Sequence, residues 1–406
     1  MNTATTTTIA VIGAGYAGIV AANRVQASLT DGERRRVRVV MVNPRGDFVD
    51  RVRLHEVAAG SRATAAVALQ DMLHSRVDVV VGTVTRIDAD ARGLEIDTAH
   101  GAQTLAYDTL VYAVGSTAAL GAPGVGEHAH LLGDVDGAAT ARAAIEAGSA
   151  RQRIVVVGGG ATGVEAAAEF AERHGEASVT LVSRGAVMGG LADGTRASIA
   201  RSLAKLGVRV IEGAAVTRVL ADAVELADGT TLASDVTVWT ASFAVPALAR
   251  TSGLPVDEIG RLLVDEQLRS VAYPEIVGAG DAVRPPASVG AHLRMGCAIA
   301  MPIGAHAADN VLAALRGRPL APLDVGFAAQ CISLGRRAGV IQLLTRADEP
   351  RAVRITGRLG ALVKEWVCTV LATGGPRRER TRPGSLLMPR GPRPSRHPSA
   401  AAKVQL

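Results

Sequence analysis

Two short stretches could hold a phosphate bridge: Gly13-Ala14-Gly15-Tyr16-Ala17-Gly18 and Gly158-Gly159-Gly160-Ala161-Thr162-Gly163. Glycine at this spacing lets backbone N–H groups approach negative charge closely, and a following helix turns its positive end to the same place. One such turn is weak evidence, because glycine turns are common. Here each copy follows a strand-like run, Thr8–Ile12 or Arg153–Val157, and opens an apolar helical segment. Two copies in that setting predict two dinucleotide sites. Contacts are expected at Gly13, Gly15, Tyr16, Ala17 and Gly18 in the first, and at Gly158, Gly160, Ala161, Thr162 and Gly163 in the second.

Other residues qualify these sites. The second unit's next strand ends in Leu181-Val182-Ser183-Arg184-Gly185, where an acid often holds the adenosine ribose 2′-hydroxyl. Ser183 and Arg184 can instead hydrogen-bond and pair with a 2′-phosphate, which predicts NADPH ahead of NADH. A third turn, Gly278-Ala279-Gly280-Asp281, ends a strand. Asp281 can accept from sugar hydroxyls or cap a helix. No metal-ligand spacing occurs.

These residues need elements to carry them. Strand, glycine turn, helix (Ile19 to about Leu29), strand opens a doubly wound sheet. The order repeats with a helix from Ala161 to about His174. Tyr107–Ser116 is a strand ending at Gly115, and Ala298–Leu315 a helix that Pro302 interrupts or restarts. The expected fold class is α/β. It has two Rossmann-like dinucleotide-binding domains, one inserted in the other, plus a C-terminal α+β region. The divisions are 1–118, 119–262 (the insertion), 263–318, 319–375, and a basic, flexible tail at 376–406.

Composition excludes several classes. The chain has 406 residues, 48% of them hydrophobic and 20% charged, which describes a well-filled globular protein. No uncharged apolar run reaches spanning length and no signal peptide is read, so the expected location is the cytoplasm. Three widely spaced cysteines, Cys297, Cys331 and Cys368, suit buried thiols rather than a disulfide or zinc framework. Residues 376–406 hold eight basic residues against one acid, Glu379, so the net charge of +6 leaves residues 1–375 at −1. Aromatic content of 2% gives base stacking little support, and nucleic acid is not expected as a partner.

"VIGAGYAG", "YAVGS", "GGGATGVEAAAEF" and "VGAGDAV", in that order, resemble the two-dinucleotide flavoprotein reductases of the pyridine nucleotide-disulfide oxidoreductase superfamily. Within them the chain is similar to type II NADH:quinone oxidoreductases and apoptosis-inducing-factor-like reductases. The resemblance covers roughly residues 8–335. It implies FAD on the first unit, closed by Asp281, and NADPH or NADH on the inserted one. Asn43 then stands at the FAD ribose, followed by Pro44 and by Arg45, which could reach the pyrophosphate or adenine. Arg51, Arg53, His55 and Glu56 would pass near the flavin; from the residues alone they suit a solvated charged helix face equally well. In that setting an arginine could stabilise a reduced, anionic ring and His55 could donate a proton. Glu165 would lie by the nicotinamide and flavin, its pKa raised by apolar neighbours. Glu165, His55 and Arg53 are the catalytic candidates. Asn43–Leu73 lacks the redox cysteine pair of the disulfide-reductase branch.

The chain departs from quinone-reducing relatives after the third turn. Ala298, Pro302 and Ile303 replace a glutamine-bearing pattern. The last helix carries an apolar stripe from Ile355 through Leu362 and Trp366 to Leu371. It is expected to pack on the chain's own sheet or in a homodimer; the alternative is peripheral contact with the inner face of a membrane, assisted by the basic tail. The expected function is an FAD-dependent NAD(P)H oxidoreductase serving a quinone-like or other small aromatic acceptor. Alternatives are a reductase for a ferredoxin-type protein, or a flavin-loaded protein binding membrane or nucleic acid through its tail.

Overall fold

The computed structural model describes residues 6–386 and 389–392. The first unit opens with β1 (Thr7–Ile12), α1 (Tyr16–Ser28), β2 (Val37–Asn43) and the short α2 (Leu54–Ala58). It continues with β3 (Val77–Val81) and β4 (Thr109–Tyr112). The inserted unit holds β5 (Ala129–Leu131), β6 (Arg153–Val157), α3 (Ala161–Arg173), β7 (Ser178–Val182), β8 (Arg209–Ile211) and β9 (Val236–Trp239). Then β10 (Ile276–Gly278) and α4 (Cys297–Leu315) return to the first unit.

Both sheets are parallel and five-stranded, in the orders β10-β4-β1-β2-β3 and β5-β9-β6-β7-β8. Their central strands are near-continuous buried apolar runs such as Ile9-Ala10-Val11-Ile12, as strands covered on both faces must be. In each sheet the chain leaves the glycine-turn strand to one side and later returns on the other. Each therefore has a switch point at its carboxyl edge, beside Gly13 or Gly158.

Helix α4 packs along α1, where Gly304 lies so close that a Cβ would fall 2.3 Å from the Ala17 carbonyl oxygen. It is long and apolar enough to cross a membrane, but two thirds of it is buried here. Pro302 sits inside it without breaking it. The C-terminal region is an antiparallel sheet of β11 (Ala329–Ser333), β12 (Gly339–Leu344) and β13 (Pro350–Thr356) under α5 (Gly357–Trp366). A wide helical turn, Val367–Thr373, joins α5 to α6 (Gly374–Arg378).

Two boundaries differ from expectation. The insertion is bracketed by Thr117–Ala118 pairing with Phe243–Ala244, so the chain re-enters the first unit well before 262. Ala249, Leu254 and Leu262 already belong to the first unit's core. The basic segment also does not begin as a free tail. Asn23 donates to the Pro376 carbonyl, and Arg377 and Arg380 donate to that of Asp71. Fully buried Glu379 accepts from the Gly384 and Leu386 N–H groups and lies 3.6 Å from Arg24. The expected flexibility of 393–406 falls outside the described residues.

Candidate functional site

The two glycine turns have one geometry. Gly13 and Gly158 take φ of +96° and +127°, which side chains rarely adopt. A Cβ on Gly18 or Gly163 would fall 1.9 Å from the carbonyl oxygen of Gly13 or Gly158 respectively. The middle glycines, Gly15 and Gly160, face open space, with nothing within 4 Å of an added Cβ. They are the N-caps of α1 and α3, and neither helix has a side-chain cap. First-turn N–H groups are thus left beside open space, which suits a pyrophosphate and fits FAD and a nicotinamide dinucleotide. Ala17 lies buried in the first turn of α1; Ala161 and Thr162, partly exposed, begin α3.

Around the first cradle the candidates converge. Asn43 Oδ1 accepts from Ala14 N at 2.9 Å and its Nδ2 donates to Arg45 O, so its side chain braces the turn. Asp281 accepts from the Ser116 hydroxyl (2.9 Å) and the Gly296 N–H (2.8 Å), while Arg51 donates to the Ser116 carbonyl (2.6 Å). Gly115 and Gly280, both at positive φ, are held in that knot. The Tyr16 hydroxyl is engaged elsewhere, donating to buried Asp50, which also accepts from Thr373. Pro44 is exposed, and Arg45 pairs with Asp136 of the inserted unit. At the second cradle Ser183 packs beneath Gly159, whereas Arg184 is exposed with no partner among the described residues. Glu212, the carboxylate just after β8, accepts from Val187 N and lies near Arg196.

Between the cradles lies a buried polar cluster. Glu165 on α3 and Lys364 on α5 are 2.8 Å apart, with side chains only 8% and 12% exposed. Ser333, at the end of β11, donates its N–H to Glu165 at 2.9 Å, and its hydroxyl lies 3.3 Å from both Glu165 and His55 Nε2. Burial, the largest effect, pushes the Glu165 carboxyl up, but the Lys364 ammonium, His55 and the Ser333 N–H together outweigh it, and the net shift is downward. That corrects the expectation of a raised pKa. Burial likewise lowers Lys364, and Glu165 more than restores it. Both groups stay ionised at neutral pH. Burial lowers His55 to about 4, so at pH 7 it is a neutral imidazole and not the protonated donor expected.

Arg53 is buried and already committed. It makes two 2.6 Å bonds to Glu365 and one of 2.7 Å to Glu56. The charged stretch is thus no solvated helix face. Burial pushes the Cys297 thiol up to about 12 and that of Cys331 up to about 11, and all three cysteines are unpaired.

The pyridine nucleotide-disulphide oxidoreductase family model matches residues 7–296. The chain belongs to that family. An NADH dehydrogenase-like protein of Mycobacterium tuberculosis is 33% identical over 359 residues, covering 82% of this chain and 87% of the relative. Demethylphylloquinone reductase of Synechocystis is 26% identical, covering 88% of this chain and 90% of that one. The solved sulfide:quinone oxidoreductase of Aquifex aeolicus shares the fold, with a TM-score of 0.76 at 19% identity, covering 93% of each chain.

For a member of this oxidoreductase family, the residues missed in the sequence are Ser333, Lys364 and Glu365. One signal existed for Lys364. The only lysines are Lys205, Lys364 and Lys403 in an arginine-rich chain, and this one interrupts an apolar helix face. That face divides in the structure. Gly360 and Lys364 turn inward, while Leu359, Leu362 and Trp366 are 59%, 68% and 53% exposed.

Proposed function

We propose that the chain is an FAD-dependent NAD(P)H oxidoreductase that delivers electrons to a quinone-like acceptor, with NADPH the preferred donor. The overall balance is NAD(P)H + H⁺ + quinone → NAD(P)⁺ + hydroquinone. The observation that carries the reading is the ionised Glu165–Lys364 pair, buried where the inserted unit meets the C-terminal region. Two relatives named for NADH dehydrogenation and quinone reduction support it.

Bound FAD and NAD(P)H would supply hydride transfer. The chain's own residues bind and orient. The open N-termini of α1 and α3 hold the two pyrophosphates. Arg184 pairs with a 2′-phosphate. Lys364 presents a fixed positive charge where reduction adds negative charge. Glu165 keeps Lys364 ionised and, through Ser333 and neutral His55, offers a proton path. Arg53 positions Glu365.

The test is anaerobic mixing of the flavin-loaded protein with NADPH and with NADH, followed by a quinone. NADPH should bleach the flavin at lower concentration, and quinone should restore the colour. Arg184→Ala should raise the NADPH KM far more than that for NADH. If neither nucleotide bleaches the flavin, the reading fails.

Peripheral membrane contact is a second reading, favoured by the outward apolar face of α5. Leu359, Leu362 and Trp366 lie there, beside exposed Arg351, Arg354 and Arg358. An amphipathic surface with basic flanks suits an anionic lipid interface.

A further inference from the structure

A cavity of about 610 Å³ opens between α2, the turn after β11, and α5. Its volume lies within the ~300–1,000 Å³ of small-molecule sites. No lining residue comes from the inserted unit. The cavity therefore approaches the reaction centre from a side the nicotinamide cradle does not occupy. Its inner wall is Ser333 and Lys364, both bonded to Glu165. Ala361 and Leu362 give it an apolar wall fit for an aromatic ring.

Charge distinguishes this cavity from a plain hydrophobic slot. Lys364 is matched by Glu165, and Arg53 and Arg62 share Glu56 and Glu365. Arg336 pairs with Glu169 and Glu56. Arg337 and Arg358 have no carboxylate in ion-pair reach among the described residues. Six lining cations thus meet four carboxylates, and the excess of two sits on those two exposed arginines. A purely apolar acceptor would gain nothing from them.

We infer that the cavity selects an acceptor quinone carrying an acidic substituent, with the ring against Leu362 and the anion between Arg337 and Arg358. The inference rests on the quinone reading above and names its substrate class. A carboxylate matches guanidinium in geometry as well as charge. Attraction by exposed arginines should also weaken with salt.

The probes are a naphthoquinone with a propionate side chain and its methyl ester, which share one ring chemistry. The acid should exceed the ester in kcat/KM by about 10-fold at low salt, within the reach of two exposed ion pairs. The preference should shrink at high salt. Arg337→Gln with Arg358→Gln should bring the ratio near one, and the corresponding double Lys variant, which keeps charge but not the planar fork, should retain only part of it. Equal kcat/KM for acid and ester, or a ratio the double Gln variant leaves intact, overturns the inference and leaves quinone reduction standing. Failure to reduce either probe while NADPH bleaches the flavin overturns both.

Discussion

Replacing Lys364 with Met tests the buried pair directly. The aliphatic stem survives, so the packing of α5 changes little, but Glu165 keeps its burial and loses its cation. Removing one partner of a buried ion pair costs about 3–5 kcal/mol, because a charge is left uncompensated. At ~2–4 °C per kcal/mol for a domain of this size, the melting transition should fall by at least about 6 °C at pH 8. The pH dependence follows from the shifts. In the wild type the lowered Glu165 pKa contributes stability above the unfolded carboxyl pKa, which is lost as pH falls through the folded value. In the variant, burial is opposed only by His55 and the Ser333 N–H, and it raises that pKa. The penalty is then full at pH 8 and fades as Glu165 takes a proton, so the deficit against wild type should shrink toward pH 4. Glu165→Gln together with Lys364→Met should cost less than Lys364→Met alone, giving a coupling of about 2 kcal/mol or more. Calorimetry on all four proteins at pH 8 and pH 5 supplies the cycle. A deficit under about 1 kcal/mol at both pH values, or strict additivity, would refute the ion pair.

Other perturbations address the cradles and the C-terminal region. Gly163→Ala places a Cβ 1.9 Å from the Gly158 oxygen and should abolish nicotinamide binding while flavin content is kept; Gly18→Ala should lose the flavin itself, as absorbance of the purified proteins will show. Glu379→Ala strands the Gly384 and Leu386 N–H groups and should cost about 2–4 kcal/mol, with faster limited proteolysis after Pro376; unchanged cleavage would mean the segment is not held there. Leu362→Asp with Trp366→Ser should remove co-sedimentation with anionic vesicles, and a wild type that never co-sediments would end the membrane reading.

How much of this was readable in the chain divides along a physical line. The cradles were, because a phosphate-binding turn is local: positive φ at Gly13, open space at Gly15 and close approach at Gly18 are set within six residues, and the strand and helix periods flank them. Those two turns and two further motifs, Tyr112–Ser116 and Val277–Val283, in order, also carried the family and the doubly wound class. The charge state of the buried Glu165 cluster was not readable. Glu165 alone among alanines suggests a raised pKa; only the packing of α5 on β12 and β11 brings Lys364, 199 residues away, within 2.8 Å and reverses the sign. For the same reason Arg53, His55 and Glu56 read equally well as a solvated face until α2 is seen buried between α5 and the inserted unit. The insertion's end was misplaced because residues 245–262 lack a motif and are assigned by the core they enter. Local spacing sets backbone shape, which is why glycine patterns speak from sequence; desolvation and ion pairing depend on which distant elements meet, and tertiary structure decided those.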